Sequence, residues 1–190
     1  ILLMERGSIR KFENQKMNLS FQIKCRDINE FIKHWAPKYT YQTEYKYDNN
    51  IGKPLTKRSR LELFEWKNGS VISALKLKSI KKNYPYSFKG DKAARYLNHK
   101  ESGGAIWNIF YLHCLEPSKW PIFDQHTYRA MKFMKTGKIV EIKESNKFKY
   151  ESYVNEFIPF FDDFDGLEQR EVDKALFSFG QFLKLAKKYT

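Results

Sequence analysis

"KWPIFDQHTYRAM", residues 119–131, is the stretch on which the reading of this chain turns. A proline-led segment delivers Asp124 to the start of a helical pattern over 125–134, and His126, Tyr128 and Arg129 follow within the next five positions. An aspartate at a helix start accepts backbone N–H bonds and needs no further purpose. An aspartate there that also faces a ligand makes the same letters an active site. The two readings are compatible, because one carboxylate oxygen can cap while the other faces a substrate.

Working outward, "AIWNIFYLHCL" (105–115) is apolar almost all round, the pattern of a helix buried at the centre of a domain. Within it His113 reads as a hydrogen-bonded core histidine and Cys114 as a packed core thiol. Farther on, "REVDKALFSFGQFLKLAKK" (170–188) sets Val172, Ala175, Leu176, Phe179, Leu183 and Ala186 on one helical stripe, with Gly180 admitting a close neighbour. This helix is expected to pack on the Asp124 half, with Arg170 and Asp173 as supporting partners. Before the motif, "RDINEFIKHWAPK" (26–38) predicts a short helix capped by Asp27 and closed at Pro37. "RLELFEWKNGSVISALKLKSI" (60–80) fits two helices or a hairpin turning at Asn68-Gly69, and the helical flanks favour helices. Residues 39–60, aromatic, basic and punctuated by Asn, Gly and Pro, predict a long loop, suited both to stacking on bases and to an ordinary surface. Residues 137–150 read as a turn and a charged connector. The expectation is a mainly α protein without repeats: a tag-like leader over 1–16, Met17 as a native start, and a single domain over 17–190.

Composition narrows the partners. Lys and Arg outnumber Asp and Glu by 35 to 22 in 190 residues, a formal charge of +13. That excess favours polyanions such as nucleic acid, and is equally that of a Lys-rich solvated surface. Two distant cysteines, Cys25 and Cys114, form no CxxC pair and give no disulfide framework, zinc site or iron–sulfur cluster. No run is long and apolar enough to span a bilayer and no signal peptide is visible, so a cytoplasmic monomer with no membrane partner is expected.

Residues 97–131, "LNHKESGGAIWNIFYLHCLEPSKWPIFDQHTYRAM", resemble the helix-hairpin-helix DNA glycosylase superfamily (endonuclease III-like and 3-methyladenine glycosylases among its members). The family pattern runs from a hairpin of the form LPGVGxxTA, through a buried helix and a short loop, to VDTHVxR. Here "IFDQHTYR" stands in the last place, and Leu97 and Ala105 lie at the two ends of the hairpin. Asn98, His99, Lys100 and Glu101 replace its usual Pro-Gly-x-Gly, leaving Gly103 and Gly104 nearby.

The resemblance implies a helical fold of two lobes around a DNA-binding cleft, with its core motif over 97–134. It implies Asp124 as the catalytic carboxylate, supported by His126 and Arg129. Lys100, Ser102, Gly103, Gly104 and Arg129 become DNA contacts. A base pocket would draw on Trp107, Tyr111, Trp120 and Phe123, with Trp35 or Trp66 joining from elsewhere. The family's lysine nucleophile is replaced by Gly103, which implies a monofunctional enzyme that uses water, with Lys100 as the alternative amine. No cofactor is implied beyond a monovalent cation at the hairpin. The partner would be double-stranded DNA with an extruded nucleotide, met in general repair or in the modified DNA of a bacteriophage. The alternatives are a non-catalytic nucleic-acid-binding protein of the same fold, and an interaction protein whose charge is incidental.

Overall fold

The computed structural model describes residues 25–101 and 103–189, which are mainly helical and contain no strand. The expected leader over 1–16 lies outside the described residues. Helix α1 (Ile28–Trp35) starts where Asp27 accepts a hydrogen bond from the Glu30 amide. It passes into one 3₁₀ turn (Ala36–Lys38) at Pro37, whose ring cannot continue an α-helical ladder.

The predicted loop over 39–60 is corrected. It contains a short helix α2 (Glu44–Asp48), and α3 (Lys57–Asn68) already begins inside it. The cause is the tyrosine spacing. Tyr47 is buried against Trp66, and Tyr41 reaches the Trp66 carbonyl, so aromatic packing organises what composition marks as a loop. Thr56 and Ser59 cap α3 reciprocally, and Gly69 ends it in the left-handed conformation at φ 71°. A second helix, α4 (Ala74–Asn83), follows after Ser73, so Asn68-Gly69 separates two helices rather than turning a ribbon.

Helix α5 (Lys92–Tyr96) and helix α6 (Ala105–Leu115) flank the segment that resembles the hairpin. Most of α6 is buried, and its one internal amide, Asn108, accepts from Tyr84 and donates to Tyr150. Helix α7 (Gln125–Thr136) begins at Asp124 and ends at Gly137. The connector expected over 137–150 is corrected: it ends at Ser145, whose side chain accepts from the Phe148 amide and so caps α8 (Asn146–Ser152). A single π turn (Tyr153–Phe157) joins α8 to α9 (Ile158–Asp162). Pro159 has no N–H to continue the ordinary ladder there, and the Ile158 amide instead reaches the Tyr153 carbonyl.

The last helix, α10 (Gln169–Ala186), lies along α7, and this is the principal helix pairing of the fold. Gly180 makes it possible. A Cβ at this position would stand 2.0 Å from the His126 carbonyl oxygen, so only glycine lets the two backbones approach so closely. The expected apolar stripe is buried from Val172 to Leu183, and its first turn carries Arg170 and Asp173 back toward α2 and α3.

Candidate functional site

Asp124 divides its carboxylate between two tasks. Oδ1 accepts from the His126 amide at 2.8 Å and the Thr127 amide at 3.1 Å, and the Asp124 amide donates in return to Thr127 Oγ1 at 3.0 Å. This capping box fixes the residue at the positive end of α7. Oδ2 points the other way and accepts from Lys67 Nζ at 3.0 Å. Burial alone would raise this acid, but the Lys67 charge beside it, the bond from Lys67 and the bond from the Thr127 amide outweigh burial and hold it below its ordinary range. The group is an ionised carboxylate whose side chain keeps 17% of its surface exposed.

The opening in front of it is a cleft of about 40 Å³ walled by Tyr39, Tyr41, Trp66 and Phe177, with Lys67, Ile122 and Asp173 completing it. A polar lattice holds its walls. Arg170 ion-pairs with Glu44 and with Asp173, donates to Tyr39 Oη at 3.0 Å, and lies 4.3 Å from the centre of the Tyr47 ring. Glu44 also accepts from Trp66 Nε1 at 2.9 Å and from Tyr39 Oη at 2.8 Å. Burial would raise Glu44, but these bonds, led by that from Arg170, bring it below the usual carboxylate range. Asp173 goes the opposite way. Burial pushes its carboxyl up to about 6 against the pull of Arg170 and Lys67, and the nearby Asp124 and Glu44 charges add to the rise. The two carboxyl groups that line the cleft, Asp124 and Asp173, are thus shifted in opposite directions from the ordinary carboxylate range.

The structure brings together Asp124, His126 and Arg129, but assigns the last two to architecture. The Arg129 side chain is 1% exposed; it pairs with Glu141 at 2.6 Å and donates to the Gly180 carbonyl at 2.8 Å and to His126 Nδ1 at 3.2 Å. The expectation of a phosphate contact from Arg129 is therefore corrected: its donors are used in pairing with Glu141 and in pinning α7 to α10. Because Nδ1 accepts from a guanidinium, His126 is a neutral imidazole, and burial lowers its pKa accordingly.

The residues expected to wall a base pocket lie elsewhere in the fold. Trp107, Tyr111, Trp120 and Phe123 are absent from the walls around Asp124. Phe123 is fully buried against Tyr153 and Phe157, Tyr111 donates to the Pro85 carbonyl, and Trp107 packs on Phe64. Trp120 donates to Glu116 and lends its carbonyl to His113. The physical reason is that α6 is the central helix, so aromatics on and beside it fill the core. Trp66, from α3, is the tryptophan that reaches the cleft, while Trp35 packs on Phe179.

At the segment resembling the hairpin, Lys100 is exposed and its amide donates to Asn98 Oδ1 at 3.0 Å. Ser102 lies outside the described residues. Gly103 sits at φ +102°, where a Cβ would come within 2.4 Å of Asn108 Oδ1, and Gly104 caps α6. Among the described residues no group of His, Cys, Asp and Glu has the arrangement of a metal site. Nor is any helix among them long and apolar enough to cross a membrane.

Lys67 is the site residue that motif reading misses. A sequence signal for it exists: Leu63 and Phe64, four and three positions earlier, are core residues, which puts a charged side chain on an apolar helical face. Such a residue is seldom buried unpaired. No family model, curated protein or solved structure matches this chain, so its activity has to be argued from this chemistry.

Proposed function

We propose that this protein is a DNA glycosylase that hydrolyses the N-glycosidic bond of a damaged or modified nucleotide and leaves an abasic site. The observation that carries the reading is Asp124: an ionised carboxylate, held by two backbone amides at a helix start, with its other oxygen at an aromatic-walled opening. Cleavage of the C1′–N bond sends its electron pair to the base and leaves positive charge on the sugar. A fixed carboxylate stabilises that charge and orients the water that adds to C1′.

The exposed basic segment that follows Lys67 in sequence supports a duplex partner. Immediately after Lys67 the chain exposes Val71 (90%) and Leu75 (83%), and α4 adds the exposed Lys78, Lys81 and Lys82. Lysines neutralise phosphates, and an exposed apolar side chain beside them suits insertion between base steps, which helps a nucleotide leave the stack. Lys67 also restores an amine to a site whose hairpin has Gly103 instead. Held as the ammonium partner of Asp124, it keeps the carboxylate ionised, and hydrolysis by water remains the proposed route.

The test is a mass-spectrometric search for free bases released from genomic DNA of ordinary and modified composition, the latter including phage DNA. Release is expected to fall by about 100-fold or more in Asp124→Asn, which preserves the cap but removes the charge. If wild type and Asp124→Asn bind DNA alike and neither releases a base, the protein is a non-catalytic nucleic-acid-binding module. Borohydride trapping of an adduct that Lys67→Met abolishes would make the mechanism covalent.

A further inference from the structure

Ile122 and Asp173 border not only the small Asp124 cleft but also a second cavity of about 400 Å³. That size is within the range of small-molecule sites, roughly 300–1,000 Å³. Its apolar walls include Tyr47, Ile51, Pro121 and Phe161, flat or branched surfaces of the kind that hold a planar ring. Its charges are unusual for so basic a protein: three carboxyl side chains, Asp48, Glu168 and Asp173, against the single guanidinium of Arg170. Phosphate is repelled from such a place. A heterocycle that becomes positively charged is favoured in it.

Asp173 is the group placed to use this field. Its side chain is 8% exposed, Oδ2 is held by Arg170, and Oδ1 accepts no hydrogen bond among the described residues. His113, which also lines the cavity, is already committed to Tyr47 Oη and the Trp120 carbonyl and is held neutral by burial.

We propose that this cavity seats the extruded base, and that Asp173 Oδ1 delivers a proton to a ring nitrogen of that base as its bond to C1′ breaks. The proposal rests on the glycosylase reading and adds the substrate class: a neutral base that leaves by accepting a proton, rather than one already cationic through alkylation. The C1′–N electron pair passes to the base, which takes the Asp173 proton. A water oxygen bonds to C1′ beside Asp124, and a proton of that water returns to Asp173. Raising the acid by burial leaves part of Asp173 protonated near neutrality. The charges facing it are Arg170 of its own helix, Glu44 from α2, Lys67 from α3 and Asp124 at the start of α7.

Two readouts test this separately from the glycosylase reading. The first uses duplexes carrying 2-aminopurine, whose fluorescence rises when the base leaves the stack. Wild type and Asp124→Asn are expected to raise it, and Ile51→Trp, which fills the cavity, to bind the duplex without raising it. An equal rise with Ile51→Trp overturns the seat, and so does the absence of a rise on wild-type binding. The second is the pH profile of base release. Release of a neutral base is expected to decline above about pH 6 in wild type, and in Asp173→Asn to be flat and about 100-fold slower. The loss on 7-methylguanine, a cationic base, should be at least about tenfold smaller, since its departure needs no proton. Equal losses on both bases, or an unchanged profile, overturn the role of Asp173. A fluorescence rise with no release of any base keeps the seat and removes Asp124 catalysis and the Asp173 proton step together; no binding of DNA removes both proposals.

Discussion

Lys67 Nζ stands 3.0 Å from Asp124 Oδ2, and the two side chains are 7% and 17% exposed. With the ammonium removed, burial becomes the dominant influence on Asp124 and drives its pKa upward. Lys67→Met is therefore expected to shift the acid limb of any Asp124-dependent activity to higher pH. It should also cost about 3 kcal/mol in stability, since it leaves a largely buried carboxylate unpaired. Lys67→Arg should recover most of the stability. Urea unfolding of the three proteins, with the activity profile, checks both statements.

Arg129 makes a contrasting case. Arg129→Met removes the bonds to Glu141, the Gly180 carbonyl and His126, and the Gly180 oxygen loses its guanidinium donor across the α7–α10 interface. A loss of about 2–3 kcal/mol is expected, smaller than for a wholly buried pair because Glu141 can return to water. The dependence of DNA affinity on salt should not change, since the guanidinium meets no phosphate. Charge reversal at Lys78, Lys81 or Lys82 should instead flatten that dependence, by about one unit of log–log slope for each phosphate left without its lysine.

The closeness of α7 and α10 can be tested at one atom. A methyl at residue 180 would meet the carbonyl oxygen, carbonyl carbon and Cα of His126, all within 3 Å. Backbone cannot move aside as a flexible side-chain tip does. Gly180→Ala is expected to destabilise by about 3 kcal/mol, at the upper end of ordinary overpacking, whereas Gly52→Ala, with open space around its Cβ position and only its φ of +72° to strain, should cost less. Thermal melts of the two variants make the comparison.

What the sequence discloses and what it hides follow from the range of the interactions. The helical pattern of 125–134, the cap at Asp124, the buried α6 and the glycine at the α7–α10 crossing are local or periodic features, and each can be read from letters. The charged groups gathered around Asp124 are not local. Lys67 lies 57 positions earlier and Arg170 reaches Glu44 across 126, so nothing in the motif announces them. The aromatic walls fail to show for a different reason. With 16 Phe, 12 Tyr and 4 Trp in the chain, proximity in sequence to the motif selects core rings such as Phe123 as readily as cleft rings such as Tyr39. The folded path of α2 and α3, which bring Trp66 and Lys67 to the cleft, decides between them.

The pH dependence of stability sets two buried groups against each other. His113 has its pKa lowered from 6.5 to about 3 by burial, so the unfolded chain takes up a proton first as pH falls below 6.5. Stability due to its neutral form is lost progressively from there down to about 3, at up to about 1.4 kcal/mol per pH unit. Depressed His126 adds to this loss. Asp173 acts in the opposite sense. Its pKa is raised from 3.8 to about 6, so the folded state binds the proton first and gains stability as pH falls through that interval. Between about pH 6 and 4 the His113 and Asp173 effects offset, and the loss due to His126 is what remains in the unfolding free energy of wild type. Below 4 the offset ends, and Asp124 and Glu44, both held below their ordinary ranges, begin to lose their contributions as well. Asp173→Asn removes the compensating proton. Its stability should begin to fall steeply near pH 6.5, about two and a half units before the collapse of wild type. Guanidinium melts at half-unit intervals from pH 8 to 3.5 would separate the curves, and parallel curves for the two proteins would place the Asp173 proton outside the folding equilibrium.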